Sequence, residues 1–325
     1  MGYRDTVSKI YLSDVRRFAD LFNFYLYEGK PIIKPEQLRE LDPTEIALPY
    51  GKMNKGEPVQ KMRDLIRAVC AMTDDRYTYL LLAIEEQSSV HYAMPTKNML
   101  YDALQYAEQV EAKAKEHRSN KDKTENNGEF LSGFYKSDKI IPVITLTVYF
   151  GADDWDAPRS LHEMMQIEDK NLLRFIPDYK LNLIVPAEIG SEGYARFVTD
   201  LKEIFEFIES TKDRKKAVKL LSDHERFGNM PRDAAEMISV FGGFDVDFNE
   251  RKEPVNMSTF AEEWKKDLLA EGEAKGRAEG EAKGRAEGEA NMVKRLFDLG
   301  NTAKQIAAMF KIPETKVEEY LAMKA

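Results

Sequence analysis

Asp64 lies in the alternating segment RDLIRAV, and a second segment, YTYLLLAIEEQ, ends in Glu85, Glu86 and Gln87. Side chains alternate faces along a strand, so Glu85 and Gln87 share one face while Ile84 and Glu86 take the other. If the two segments pair as a hairpin, Asp64 joins Glu85 at one strand end. Two carboxylates, together with the Glu86 carbonyl, make a hard oxygen-ligand set suited to Mg²⁺ or Mn²⁺. Such a set can activate water against a phosphodiester. Gln87 adds an amide that can hold a water without adding positive charge. Read from spacing alone, the same residues also fit a solvated strand end with Asp64 as a surface acid.

Further polar groups flank this set. Lys97, Tyr101 and Gln105 follow at i, i+4 and i+8 in KNMLYDALQYAEQ, one stripe of a helix that can face a phosphate. Asp20 and Asn23 in VRRFADLFNFYLYEG read either as an auxiliary metal or water contact or as simply exposed polar residues on that helix face. His91 reads as structural, because this chemistry requires no imidazole. Asp153, Asp154 and Asp156 form an acidic loop that reads either as a cation contact or, with more weight, as caps for a helix starting near Ser160.

These residues need a scaffold. Phe18, Leu21, Phe22, Tyr25 and Leu26 recur at helical spacing, and Gly29 and Pro31 end that helix. Strands are expected over 61–72 and 77–87 with a turn at 73–76, then a helix opening at Pro95. The polar stretch 118–136 has almost no core-forming residue and reads as a mobile surface loop or disordered insert. IIPVITLTVYFG and YKLNLIVP read as strands buried on both faces. Strands interleaved with helices give an α/β sandwich whose sheet is at least partly covered on both sides. The expected division is a domain over 1–241, with its core at about 10–190 and a helical cap over 191–241, then a linker at 242–257.

The rest differs in kind. Gly272, Gly276, Gly280, Gly284 and Gly288 recur every four residues in a helical repeat over 258–290. Each costs about 1 kcal/mol relative to Ala, whereas the i,i+4 ion pairs return only about 0.2–0.5 kcal/mol each, so the helix should fray in isolation. A partner helix, in a homo-oligomer, could hold it; a solvated low-complexity helix is the other reading. Residues 291–325 read as three short helices punctuated at Gly300 and Pro313, a helix-turn-helix-like module. It fits either DNA contact or packing, and Glu314, Glu318 and Glu319 disfavour entry into an anionic groove.

The 325 residues are 43% hydrophobic and 32% charged, enough for about two domains. The formal net charge of -9 argues against coating nucleic acid by bulk electrostatics but leaves room for a local basic surface. Cys70 is the only cysteine, which excludes an intramolecular disulfide and a cysteine zinc site. No secretory leader or membrane-spanning apolar run is legible, so a soluble cytoplasmic protein is expected.

Several motifs occur in order: FADLFNFYLYEGKPIIKPEQL, RDLI, YLLLAIEEQSSVHYAMP, NMLYDALQYAEQ, IIPVITLTVYFGADDWDAPRSLHEMM and the Gly-Glu-Ala-Lys-Gly-Arg tail. Together they make the chain resemble the recombination-promoting nuclease family, also called YhgA-like transposases. That family is similar to the PD-(D/E)XK nucleases. The resemblance implies a restriction-endonuclease-like core with a helical cap and a long C-terminal helical tail. It also implies a Mg²⁺-dependent endonuclease acting on double-stranded DNA in recombination or transposition. Asp64, Glu85 and Gln87 match the nuclease triad, with Gln87 where a Lys is usual. Lys97 stands where these proteins usually have Arg, which keeps charge but loses the bidentate fork. The competing expectation is a weak or inactive DNA-associated assembly protein that oligomerises through its C-terminal helix.

Overall fold

The apolar stripe of VRRFADLF sets the first packing layer. Phe18, Leu21 and Phe22 are fully buried on α2 (Val15–Tyr27), whose N-cap Asp14 accepts from the Arg16 backbone N–H at 2.7 Å. The helix ends where Glu28 and Gly29 take left-handed backbone angles. At Gly29 a β-carbon would fall 2.8 Å from Arg196 Cβ, so no larger residue fits. A helix not expected from the sequence, α1 (Tyr3–Leu12), precedes it and buries Val7, Tyr11 and Leu12. This computed structural model describes residues 3–40, 44–47, 59–62, 65–73, 76–244, 246, 248 and 254–322.

The fold is mixed α/β. Its five-stranded sheet joins β1 (Arg39–Glu40), β4 (Leu65–Thr73), β5 (Arg76–Gln87), β6 (Val143–Tyr149) and β7 (Asn182–Ile184), in that order. A separate pair joins β2 (Thr44–Ala47) to β3 (Val59–Met62). The strand expected over 61–72 is therefore two: one end pairs with β2 and the other with β5. β4 and β5 form the antiparallel hairpin, running from Leu65 opposite Ile84 to Thr73 opposite Arg76. β6 then lies parallel to β5, with Glu85 beside Thr147, and β7 lies parallel to β6.

Helices cover both faces. α3 (Met94–Asn120) connects β5 to β6, with α4 (Asn127–Ser132) in the same connection. After β7 come α5 (Pro186–Tyr194), α6 (Leu201–Ser210), α7 (Arg214–Leu221), α8 (His224–Phe227) and α9 (Arg232–Gly242). Phe150, just past β6, meets Phe205 of α6 and Phe241 of α9 at 5.7 Å between ring centres. Arg17, 3% exposed, ties α2 to this layer. It grips Asp200 through two bonds of 2.7 Å, bonds Asp233, and donates to the Tyr11 carbonyl. Burial opposes the guanidinium charge, but the bonds to Asp200 and Asp233 outweigh it and raise its pKa.

Three expectations change. The stretch 118–136 is ordered rather than a mobile loop: polar bonds do the work that a core would otherwise do. His117 bonds Asp122 at 2.7 Å and Asp138 at 2.9 Å, and its ring stacks on Tyr135 at 3.8 Å. The strand expected over 179–186 shrinks to three residues. In the expected linker, Val246, Phe248, Val255 and Met257 are buried, and Met230 bridges to Val255.

The chain divides into two compact units, Met1–Ala261 and Glu262–Ala325. α10 (Ser258–Asp298) runs without a break through the glycine repeat, which extends the helix beyond what propensity alone supports. In the second unit, α10 packs with α11 (Ala303–Phe310) and α12 (Glu314–Ala322). Ala290, Val293, Ile306, Ala307, Val317 and Tyr320 form that core, and Thr302 with Gln305 closes a capping box at the start of α11.

Candidate functional site

The hairpin register assigns the two faces of the sheet. Arg67 pairs with Leu82, so Arg67, Leu82, Ile84 and Glu86 share a face, and the Arg67 guanidinium lies 4.7 Å over the Phe18 ring of α2. Ala83, Glu85 and Gln87 take the opposite face, beside Thr145 and Thr147 of β6. α3 lies on that second face, where Met94 packs in an apolar cluster with Tyr149 and the contacts beside Glu85 are polar. Asn98 Nδ2 donates to Thr147 Oγ1 at 2.9 Å, and Thr145 Oγ1 donates to Asp102 Oδ1 at 2.5 Å. Tyr179 donates to the other Asp102 oxygen at 2.6 Å.

Glu85 stands at the end of this seam. It is 1% exposed, and Lys97 Nζ of α3 sits 2.8 Å from its Oε2. A carboxylate so buried is costly unless paired, and the ammonium one helical turn into α3 supplies the pairing. Pro95 at the start of α3 fixes where that turn begins. Gln87 turns its amide Nε2 back onto the Glu86 carbonyl. That carbonyl, expected as a metal ligand, thus already accepts one bond. Glu86 itself is buried on the other face. Asp5, Glu86, Gln87, Ser88, His91 and Lys97 border a cleft of about 410 Å³.

Asp64 lies outside the described residues. Its neighbour Leu65 pairs with Ile84, the neighbour of Glu85. Tyr101 and Gln105 do share the Lys97 stripe, yet both are buried rather than open to a ligand, and the Lys97 ammonium lies 5.8 Å from the Tyr101 ring centre. Asp20 accepts from the Val198 and Thr199 backbone N–H groups and the Thr199 hydroxyl, while burial raises its pKa against those bonds. Asn23 exchanges two bonds with the Ile33 backbone, at 2.7 and 2.8 Å. The hydrogen bonds of Asp20 and Asn23 therefore tie α2 to segments other than the hairpin. His91 Nδ1 accepts from the Ala93 N–H at the start of α3. No α-helix begins at Ser160; Asp154 instead pairs with Lys212 and Asp156 accepts from Tyr92.

Sequence reasoning passed over Asp5 and Asp102. Asp5 accepts from the Ser88 hydroxyl at 2.8 Å, which brings α1 to the cleft. Only a long-range contact reveals it, because nothing in its local spacing marks it. Asp102 did have a signal: an acid one residue past Tyr101, on the face that meets threonines of β6.

Among the described residues, which exclude Asp64, no three His, Cys, Asp or Glu side chains gather to hold a metal ion. No helix among them is long and apolar enough to cross a membrane. Fold and site together define a mixed α/β protein with a buried, cation-paired carboxylate at the end of its central strand. The chain belongs to the family described as "Putative transposase, YhgA-like", whose model matches residues 35–221. No curated protein and no solved structure matches it.

Proposed function

We propose that the protein is a metal-dependent DNA endonuclease with a PD-(D/E)XK-like core, acting in transposition or recombination. The observation that carries this reading is Glu85: a buried carboxylate at a strand end, bonded to Lys97, next to the hairpin ladder entered by Leu65. The order of antiparallel hairpin, helix and parallel strand supports the core assignment, and family membership supports DNA as the substrate.

Asp64, Glu85 and the Glu86 carbonyl are the oxygen donors that would hold Mg²⁺ or Mn²⁺. Their chemistry fits a hard cation, since carboxylate and carbonyl oxygens are the donors such an ion prefers. A divalent ion there supplies Lewis-acid stabilisation to a phosphodiester. Lys97 holds the carboxylate in place and brings the positive charge that Gln87 lacks. Gln87, its N–H engaged, keeps its amide oxygen to orient a water.

The test is nicking of supercoiled plasmid by purified protein with Mg²⁺ or Mn²⁺. Asp64→Ala and Glu85→Gln should each abolish nicking, and nicking that persists in both would sink the assignment. Gln87→Lys should raise the rate by adding a second ammonium beside Glu85.

A second reading is a weak or inactive DNA-associated assembly protein. The Lys97 ammonium already neutralising Glu85, and the Gln87 amide already on the Glu86 carbonyl, favour it. Calorimetry separates the two, since the nuclease reading requires Mg²⁺ or Mn²⁺ binding that is lost in Glu85→Gln.

A further inference from the structure

α4 presents its side chains in the reverse of the usual burial order. Glu129 is buried, and its carboxylate accepts the backbone N–H groups of Glu125 at 2.7 Å and Lys136 at 3.2 Å. Phe130 and Leu131, next in sequence, are 74% and 83% exposed. Leaving such side chains in water forgoes about 1.5–3 kcal/mol each relative to full burial, and folding alone gives no reason for it.

Cations are frequent in the stretch that carries this tip. Arg118, Lys121, Lys123, Lys136 and Lys139 are all exposed, and among the described residues none is held in an ion pair. Two of them sit at α4 itself. A β-carbon on Gly133, the C-cap, would lie 3.8 Å from Arg118 Nη1, and Glu129 holds the Lys136 backbone. Several acids of the stretch are already engaged: Asp122 and Asp138 on the His117 ring, Glu129 on the backbone. In a chain of net charge -9, this is a local concentration of uncommitted positive charge.

The tip is also ordered before it meets anything. Asn126 caps α4 by accepting from the Glu129 N–H at 3.0 Å, and Gly133 allows α4 to lie against Ala114 of α3, where a β-carbon would fall within 2.7 Å. Preordering lowers the entropy lost on binding.

We propose that residues 113–139 form a contact surface for duplex DNA, in which the cations meet phosphates and Phe130 and Leu131 press into the minor groove. Apolar side chains flanked by cations serve this way in proteins that bend DNA. The proposal rests on the DNA reading above and adds where the duplex is held. Cations beside apolar side chains also suit an anionic lipid surface; membership of a transposase family favours DNA.

The test uses the full chain and a short fluorescent duplex, followed by anisotropy across a salt series. Lys121→Glu with Lys123→Glu should weaken binding about tenfold and lower the slope of log affinity against log salt by about 2. Phe130→Ser with Leu131→Ser should weaken binding several-fold at an unchanged slope. Phe130→Trp should keep binding and lose emission when duplex is added. All these side chains are exposed, so circular dichroism should match the parent. If both double variants bind and nick as the parent does, while Glu85→Gln abolishes nicking, the DNA reading stands and this surface is overturned. A parent that neither binds nor nicks duplex overturns both. Phosphatidylserine vesicles provide the last arm: if the Phe130 and Leu131 variant loses vesicle binding but keeps duplex binding, the surface belongs to lipid and the proposal fails.

Discussion

Lys97 Nζ and Glu85 Oε2 are 2.8 Å apart, one on the second turn of a helix and the other on the strand beneath it. Neither residue's neighbours in sequence supply this contact. It exists because the helix that follows β5 folds back over the face on which Glu85 points.

Removing the cation should therefore cost stability as well as activity. Lys97→Met leaves a buried carboxylate without its ammonium, and urea denaturation should show a loss of about 3 kcal/mol, the lower end for buried pairs because Lys97 is partly exposed. Lys97→Arg should recover most of it. A loss under about 1 kcal/mol, the value of an exposed pair, would mean that the contact does not support the site.

Arg17 is more deeply buried than Lys97, and it ties α2 to Tyr11 of α1, to Asp200 just before α6 and to Asp233 of α9. Arg17→Ala strips both Asp200 and Asp233 of their partner, which should destabilise the first unit by about 3–5 kcal/mol. Arg17→Lys keeps the charge but loses the fork, so thermal melting should place it between parent and Ala variant. Equal melting of Lys and Ala variants would show that geometry, not charge, holds the joint.

The glycine repeat gives a prediction of opposite sign. A β-carbon at Gly276, Gly280, Gly284 or Gly288 would meet nothing within 4 Å. Each Gly→Ala change should stabilise the helix by up to about 1 kcal/mol. Hydrogen exchange across 276–288 should slow accordingly. Faster exchange in the full chain would indicate that the glycines are needed for close approach by another helix.

His117 makes the 121–138 stretch sensitive to pH. Bonds from Asp122 first, then Asp138, raise its pKa above the usual 6.5, so the folded state binds the proton more tightly than the unfolded chain. Its contribution is then full below 6.5 and is lost as pH rises through the raised value. Asp138 is shifted the other way, by the Tyr135 N–H first and then by His117. Its contribution holds above 3.8 and is lost as pH falls through the lowered value. Hydrogen exchange of this stretch, corrected for intrinsic rates, should speed up on the alkaline side. His117→Gln should flatten that response, and an unchanged response would assign it to another group.

The amphipathic helix around Phe18, the β4–β5 pairing, the helix near Pro95 and the two short helices after Gly300 were legible in the sequence, whereas the first of the three short helices expected over 291–325 is the end of the long α10. Local periodicity and turn residues dictate them, and those signals act within a few residues. Glu85 could be named as a candidate from the sequence, since a carboxylate at a strand end needs no tertiary context to be noticed, whereas Asp5 and Asp102 were not. Tertiary structure alone decided what these residues touch. It placed Lys97 on Glu85, turned Gln87 onto the Glu86 carbonyl, and gave Asp20 the distant backbone of Val198 and Thr199 and Asn23 the backbone of Ile33. It also ordered 118–136 through polar bonds that no hydrophobic pattern announces. Burial and ion pairing are set by which elements pack together, and residues far apart in sequence leave no local mark of meeting.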